Sequence, residues 1–249
     1  MSDSAQAWNI SPKHVSLAIN EVHVWRASLE MPLHVIDQLQ RVLSPEESEQ
    51  ARQFYFEKDR RHWIVAHGVL RLLLGRYLHM KASELQFVIN DYGKPSLAYP
   101  PHAARLHFNL SHSGELALYA FAYDRPVGID VEYMRALLDY EEVAIHHFSL
   151  YECAMLRSLP ASLHEKAFFS CWTRKEAYIK ARGKGFSLPL DQFDVSLTPW
   201  EPAALLADRQ DPQAPARWSL YALAPGVHYA GALAVEGAGW QLTCWQWQG

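Results

Sequence analysis

The chain has 249 residues, of which 49% are hydrophobic and 20% are charged, and its formal net charge at pH 7 is −4. This length supports one large domain or two modest ones, and the balance of residue types excludes a disordered chain. The net negative charge excludes binding to nucleic acid through overall charge, so any bound anion requires a local basic patch.

The sequence contains no recognisable targeting or anchoring signal. Residues 1–10 have no basic stretch followed by an apolar one, so a signal peptide is not predicted. No run of about 18 apolar residues occurs, so no membrane-spanning helix is predicted. The three cysteines form no CxxC pair, which indicates neither a disulfide framework nor a cysteine zinc site. We therefore expect a cytoplasmic protein that binds neither a membrane nor nucleic acid.

The first half of the chain predicts one long helix and several strands. Alternating apolar and polar residues predict a strand at 21–30. Residues 44–47 (S-P-E-E) form a capping box that predicts a helix start, followed by a long helix at about 58–80. The turn at 123–126 (Y-D-R-P) favours a hairpin between the two strands that flank it. Further strands are predicted at 85–90, 105–110, 116–122 and 127–132.

The second half repeats this order of elements. A second capping box lies at 149–152, and a helical pattern runs from about 164 to 182 and stops at Gly183. Strands are predicted near 193–197, 217–222, 228–235 and 239–246. We therefore predict an α+β fold of two pseudo-symmetric lobes, 1–125 and 126–249. Each lobe is a small antiparallel sheet packed with a long helix, and a ligand is expected in the cleft between the lobes.

Both long helices are rich in basic residues. Residues 51–81 hold seven Lys or Arg against two acids, and residues 164–185 hold six against two. Either helix alone fits a solvated face. Two such helices in a net acidic chain favour the walls of an anion site. The candidate residues are Arg60, Arg61, Arg71, Lys175 and Lys180.

Two carboxylates alternate along the predicted strand at 127–132, which reads V-G-I-D-V-E. Side chains at positions i and i+2 of a strand lie on the same side, roughly 7 Å apart, so Asp130 and Glu132 project together. Ile129 and Val131 then point into the core. Converging carboxylates suit a hard cation such as Mg²⁺. The alternative is that the two acids only solvate the outer face of a strand.

A third carboxylate lies on the second long helix, in the segment F-F-S-C-W-T-R-K-E-A-Y-I-K at 168–180. Trp172, Glu176 and Lys180 share one face, because residues four apart are neighbours on a helix. Glu176 and Lys180 would complete a site for a metal-bound phosphate. The alternative is a surface ion pair.

Two predicted turns add polar groups to the same region. The segment 108–114, F-N-L-S-H-S-G, is predicted to end a strand in a turn whose hydroxyls, imidazole and N–H groups suit an anion. Lys94 lies in a second turn, Y-G-K-P. For both segments the alternative is an ordinary turn without a ligand.

The order and spacing of these motifs resemble the 4′-phosphopantetheinyl transferases. The pair G-I-D-x-E and W-x-x-K-E-x-x-x-K is highly specific. The chain is most similar to the larger, two-lobed type represented by the surfactin-synthetase activator, and the resemblance spans about residues 44–195. The matching motifs are G-K-P at 93–95, F-N-L-S-H-S-G at 108–114, V-G-I-D-V-E at 127–132 and W-T-R-K-E-A-Y-I-K at 172–180.

The resemblance implies an enzyme that uses coenzyme A as co-substrate. Such enzymes move the 4′-phosphopantetheine arm of coenzyme A to a serine of an apo acyl, peptidyl or polyketide carrier protein and release adenosine 3′,5′-bisphosphate. It implies Mg²⁺ bound by Asp130, Glu132 and Glu176. Glu176 is also a candidate general base for the carrier serine, directly or through a water on the metal. A monomer is expected, because the contact between two lobes replaces a contact between subunits.

The resemblance also implies roles for several residues that bind the co-substrate. Lys180 would contact the pyrophosphate, Ser111 and His112 would contact phosphates, and Lys94 would lie beside the nucleotide. The chain departs from the family where basic residues often reach the 3′-phosphate, because Glu47 and Gln50 stand there. Arg52, Arg60 and Arg61 are the candidate substitutes.

The sequence allows three interpretations besides the transferase. A metal-dependent phosphohydrolase would use the same three carboxylates, and a binding module without activity would retain the fold. The intact set Asp130, Glu132, Glu176 and Lys180 argues against a pure binder. A glycosidase is disfavoured, because acids side by side on one strand do not flank a sugar. The sequence leaves open the carrier protein and the choice between Mg²⁺ and Mn²⁺.

Overall fold

The computed structural model describes residues 6–12, 14–99, 103, 105–135 and 140–249. Its α-helices are α1 (Leu33–Gln40), α2 (Pro45–Arg52), α3 (Glu57–Leu78), α4 (Tyr140–His147), α5 (Leu150–Ser158), α6 (Ala161–Arg182) and α7 (Ala214–Arg217). Its strands are β1 (Asn9–Ile10), β2 (Glu21–Ser28), β3 (Gln86–Ile89), β4 (Pro95–Tyr99), β5 (Leu106–Ser113), β6 (Leu116–Tyr123), β7 (Val127–Tyr133), β8 (Phe193–Val195), β9 (Leu205–Asp208), β10 (Trp218–Leu223), β11 (Tyr229–Glu236) and β12 (Gln241–Gln246). None of the helices in these ranges is long and apolar enough to cross a membrane.

The fold is α+β and consists of two lobes with the same order of elements. In the first lobe β2 pairs with β6 and β6 with β5, and in the second β7 pairs with β11 and β11 with β10. All four pairings are antiparallel. Each lobe also has a small two-stranded sheet, β3 with β4 and β8 with β9. A 22-residue helix, α3 or α6, precedes that small sheet. The predicted two-lobed α+β fold is therefore confirmed.

Each lobe has its own ion pair between the glutamate of its capping box and a basic residue of its long helix. In the first lobe, Glu47 of the capping box accepts from Arg71 of α3, with a nitrogen-to-oxygen distance of 2.5 Å. In the second lobe, Glu152 of the capping box accepts from Lys175 of α6 at 2.6 Å. Each cation also donates to a backbone carbonyl near the following strand, such as the carbonyl of Phe193. This correspondence indicates that the lobes are two versions of one unit.

Three strand predictions need correction. The turn at 123–126 does not close a hairpin, because β6 pairs with β2 and β5 and has no free edge left for β7. The chain instead crosses at this turn from the first sheet to the second. The strand predicted at 105–110 continues to Ser113, so the segment 108–114 is strand rather than turn for most of its length. The first sheet is also not purely antiparallel as predicted, because β12, predicted as a strand of the second lobe, lies parallel to β2 in this sheet.

Gly128 marks the place where β7 packs directly against α6. A Cβ atom at this position would lie 2.1 Å from the carbonyl oxygen of Ala177 and 2.3 Å from the backbone nitrogen of Ala181. These are backbone atoms, so they cannot move aside as a flexible side chain does. Only glycine therefore allows the strand and the helix that carry the predicted carboxylates to approach so closely.

We expect Gly128→Ala to destabilise the protein by more than about 3 kcal/mol or to prevent folding, because overpacked cores must shift their backbone. Denaturation in urea measures this change. Gly226→Ala is the matched control, since a Cβ there would meet only Tyr229 at 3.6 Å, an ordinary contact. A Gly128→Ala protein as stable as the control would contradict the close packing of β7 on α6.

Candidate active site

The two main sheets meet at their edge strands, β5 and β7. Three alternate residues of β5 supply side-chain oxygens that accept hydrogen bonds from alternate backbone N–H groups of β7. The pairs, acceptor first, are Asn109 with Ile129 at 2.8 Å, Ser111 with Val131 at 3.3 Å and Ser113 with Tyr133 at 3.1 Å. An edge strand leaves such N–H groups unpaired. Side chains therefore take the place of a backbone ladder across this junction.

Asp130 lies at the centre of the junction and is 3% exposed. Its Oδ1 atom accepts from the Lys180 ammonium at 2.6 Å and from the Ser111 hydroxyl at 2.9 Å. Its Oδ2 atom is buried and has no hydrogen-bond partner among the described residues. Burial raises the pKa of Asp130 above its usual value, and Lys180 offsets part of this rise. Within the described residues, one oxygen of the Asp130 carboxylate is therefore buried without a hydrogen bond.

Glu132 lies two residues further along β7 and is half-buried. Its Oε2 atom accepts from the Ser113 hydroxyl at 2.7 Å. Burial raises the pKa of Glu132, and the nearby charge of Asp130 raises it further. Ile129 and Val131, on the other side of the strand, are fully buried in the core. The predicted alternation along this strand is confirmed.

Glu176 projects from α6 toward the same junction. Trp172, Glu176 and Lys180 are half-buried while most residues between them are fully buried, so the three share one face as predicted. Burial raises the pKa of Glu176, and the charges of Asp130 and Glu132 add to the rise. In the described part of the chain, the Glu176 carboxylate accepts no hydrogen bond. The three predicted carboxylates therefore lie close enough for their charges to affect one another.

The donor set fits a divalent cation in its chemistry, although the side chains do not enclose one as they stand. Among the described residues, no three His, Cys, Asp or Glu side chains form a group that could hold a metal ion. Lys180 and two serine hydroxyls hold oxygens of Asp130 and Glu132. Asp130 nevertheless keeps an orphaned buried oxygen, which native proteins rarely leave without a partner. Carboxylate oxygens are the ligands that Mg²⁺ prefers.

His112 follows Ser111 on β5 and faces the other way, because side chains alternate along a strand. Its side chain is exposed, yet nearby protein atoms still remove part of the water around the ring. This desolvation lowers the pKa of His112 to about 4, and the nearby His67 and Lys180 lower it further. The imidazole is therefore neutral at pH 7, and it can serve as a hydrogen-bond partner rather than as a cation.

Lys94 lies where the N-terminal lobe touches the end of α6. Its ammonium donates to the backbone carbonyls of Val127 and Ala181, both at 3.1 Å. The amide of Asn90 in the same turn donates to the carbonyl of Gly183 at 2.9 Å. Burial lowers the pKa of Lys94 to about 8. Lys94, the residue predicted to lie beside the nucleotide, therefore bridges the two lobes in the structure.

The remaining basic candidates divide into two kinds. Arg60 and Arg61 lie on the first turn of α3, where both bind Glu57 and lower the pKa of this exposed carboxyl to about 2. Arg71 and Lys175 are buried in the ion pairs that link each capping box to its helix. They are part of the scaffold and do not line an anion site. Of the five predicted candidates, only Lys180 contacts one of the three site carboxylates, Asp130.

The sequence predictions missed two members of this site, Asn109 and Ser113. Both belong to the alternating pattern N-x-S-x-S on β5, which places their side chains on the face that meets β7. The predicted strand ends at residue 110, so the sequence prediction does not extend this alternation to Ser113. The glutamate at position 47 also has a structural role, since it caps α2 and binds Arg71.

Comparison with known proteins is consistent with this geometry. Residues 126–235 match the model of the 4′-phosphopantetheinyl transferase superfamily, and residues 24–123 match the model described as 4′-phosphopantetheinyl transferase, N-terminal. The 4′-phosphopantetheinyl transferase HetI of a Nostoc species is 41% identical over 240 residues, which cover 96% of this chain and 98% of that protein. The 4′-phosphopantetheinyl transferase Sfp of Bacillus subtilis is 32% identical, with 76% of this chain and 80% of Sfp covered.

Carboxylates, hydroxyls and an ammonium at the junction of two related lobes suit an enzyme that handles phosphate groups. The chain belongs to the 4′-phosphopantetheinyl transferase family, and it is an enzyme of the transferase class. The family resemblance seen in the sequence is therefore confirmed.

Proposed function

We propose that this protein transfers the 4′-phosphopantetheine arm of coenzyme A to a serine of an apo acyl, peptidyl or polyketide carrier protein. The reaction depends on Mg²⁺ and releases adenosine 3′,5′-bisphosphate. The observation that carries the proposal is the group formed by Asp130, Glu132, Glu176 and Lys180 at the lobe junction, in a chain of this family. The co-substrate then lies in the cleft between lobes that join near residue 125.

Asp130, Glu132 and Glu176 are the residues that would hold the metal. All three have a raised pKa, caused first by burial and then, for Glu132 and Glu176, by neighbouring carboxylates. A divalent cation relieves this repulsion and supplies charge neutralisation for phosphoryl transfer. Lys180, which donates to Asp130 at 2.6 Å, would be the cation that contacts the pyrophosphate.

The basic and polar residues then position the phosphates. Lys180 carries the positive charge that stabilises the leaving phosphate. His112 binds phosphate oxygens as a neutral donor. Ser111 lies beside the phosphates, while its hydroxyl hydrogen remains on Asp130. Lys94 lies beside the nucleotide at the lobe contact. Arg60 and Arg61 are the proposed contacts of the 3′-phosphate, and they must share their charge with Glu57.

The reaction exchanges one phosphorus–oxygen bond for another. The carrier serine oxygen forms a bond to the phosphorus that bears the pantetheine arm, and the pyrophosphate bond to that phosphorus breaks. The leaving group keeps the bridging oxygen and departs as adenosine 3′,5′-bisphosphate. The serine proton passes to Glu176 or to water.

We also propose that the protein is a cytoplasmic monomer. The contact between its two lobes provides the cleft that a subunit contact would otherwise form. Its partners are then coenzyme A and an apo carrier protein.

Removal of divalent metal should abolish transfer. We expect EDTA to reduce carrier modification to background and excess Mg²⁺ or Mn²⁺ to restore it, because three carboxylates without a cation repel the phosphates they must hold. Chromatography of the nucleotide product measures the extent of the reaction, and the identity of the products distinguishes transfer from hydrolysis. Adenosine 3′,5′-bisphosphate formed with modified carrier supports the proposal. Coenzyme A cleaved to free phosphopantetheine would identify a hydrolase, and unchanged transfer in EDTA would contradict the metal.

A further inference from the structure

We propose that Ser113 is a positioning residue that holds Glu132 in place from the opposite lobe. This inference rests on the proposed function and adds to it a residue that acts through a metal ligand rather than on the substrate. The geometry that carries it is the pair of hydrogen bonds on the Ser113 hydroxyl, 2.7 Å to Glu132 and 3.1 Å to the Tyr133 backbone nitrogen.

The direction of these bonds follows from the chemistry of a hydroxyl group. A serine hydroxyl carries one hydrogen and two acceptor lone pairs. The Tyr133 N–H can only donate, so it occupies a lone pair of Ser113 Oγ. The single hydroxyl hydrogen is therefore given to Glu132 Oε2. This leaves Glu132 with one oxygen fixed and one without a hydrogen-bond partner among the described residues.

Ser113 is itself held in position by the turn that follows it. Gly114 has a φ of 57°, and a Cβ there would lie 2.8 Å from the Tyr229 hydroxyl. The Tyr229 hydroxyl accepts from the Glu115 backbone nitrogen at 3.0 Å, and its ring packs against Tyr133 at 5.2 Å. The end of β5 is thus fixed to the second lobe on both sides of Ser113.

Ser111 makes the same arrangement one step earlier along the strand, where its hydroxyl donates to Asp130 and accepts from the Val131 backbone nitrogen. Two carboxylates on β7 are therefore each oriented by a serine on β5. Because β5 belongs to the first lobe and β7 to the second, correct placement of the acids depends on the lobes being joined. Outer partners of this kind typically change metal affinity by about 10- to 100-fold when removed.

The test compares Ser113→Thr with Ser113→Val, two variants of nearly equal shape of which only the first has a hydroxyl. The first readout is Mn²⁺ binding to the full protein without carrier, followed by the electron paramagnetic resonance of free Mn²⁺. We expect Ser113→Val to weaken Mn²⁺ binding by about 10-fold and Ser113→Thr to stay near wild type. The second readout is the Mg²⁺ concentration that half-saturates transfer, which should rise by a similar factor.

Ser219→Ala is the control for loss of a strand hydroxyl. Ser219 lies on β10, at the other edge of the second sheet, and donates to the carbonyl of Gly237 at 2.8 Å. It should bind Mn²⁺ as the wild type does. Ser113→Ala replaces the Val variant if added bulk lowers the melting temperature by more than this control does.

Three results are informative. Equal Mn²⁺ binding by the Thr and Val variants would overturn the positioning role. A wild-type protein that binds Mn²⁺ but modifies no carrier would contradict the proposed function, while the comparison of variants would still decide the role of Ser113. A wild-type protein that binds no Mn²⁺ would contradict both.

Discussion

Asp130→Asn is expected to reduce the rate of carrier modification by at least about 100-fold, the scale of losing a preorganised electrostatic contact. Asp130 is the most buried of the three carboxylates, and it alone contacts both Lys180 and Ser111. The amide has nearly the same shape but cannot hold a cation or pair with the ammonium in the same way. The measurement is the initial rate of carrier modification at saturating coenzyme A and Mg²⁺.

Stability should separate a catalytic role of Asp130 from a structural one. Its pKa is raised in the folded protein, so folding disfavours the ionised form at neutral pH, and stability gains as the pH falls through the folded pKa. Removing the charge should therefore leave the melting temperature within about 5 °C of wild type. Asp37→Asn, on the exposed face of α1, is the control and should keep full activity. More than a tenth of the wild-type rate in Asp130→Asn would contradict its role.

Lys175→Met is expected to cost about 3–5 kcal/mol of the free energy of unfolding, the usual effect of leaving one charge of a buried pair without its partner. Lys175 and Glu152 are both 0% exposed. The carboxylate of Glu152 also accepts from the backbone nitrogens of Ser149 and Val195, so it cannot turn toward water. Urea denaturation of the purified protein measures this loss.

The double variant Lys175→Met with Glu152→Gln should recover part of the lost stability, because it removes both charges rather than one. Arg52→Met breaks an exposed pair with Glu49 and should change stability little. If Lys175→Met were as stable as Arg52→Met, the buried pair would have no structural role. The burial of Lys175 on α6 would then need another explanation.

The chemistry of the site was predictable where it depends on local periodicity. The strand period placed Asp130 and Glu132 on one side, and the helix period placed Glu176 and Lys180 on one face. Capping boxes and the glycine after α6 located the ends of helices correctly. These features need only neighbouring residues, so a single sequence carries them.

The contacts between distant segments were not predictable in the same way. Arg71 and Lys175 are buried in ion pairs with Glu47 and Glu152. The sequence of a basic helix does not distinguish such residues from a cation that faces the cleft. The partners lie in the preceding capping boxes, and only the packing of the helices brings them together. The turn at 123–126 has hairpin chemistry, yet the edge of β6 is already occupied. Local turn preference was overridden by the pairing of the whole sheet.

The junction of β5 and β7 shows the same limit most clearly. The pattern N-x-S-x-S has polar residues on one face of a strand, but which strand they meet depends on how two sheets are set edge to edge. The local sequence therefore predicts an anion-binding turn at 111–114, and it does not predict that Ser113 contacts Glu132.

The intact mass of an apo carrier protein tests the central claim most directly. The protein, coenzyme A and Mg²⁺ are incubated with purified apo acyl, peptidyl and polyketide carriers, and each carrier is weighed by mass spectrometry. We expect a gain of about 340 Da, one phosphopantetheine arm, on at least one carrier and none when its acceptor serine is replaced by alanine. No gain on any carrier, from a folded protein that still binds coenzyme A, would contradict it.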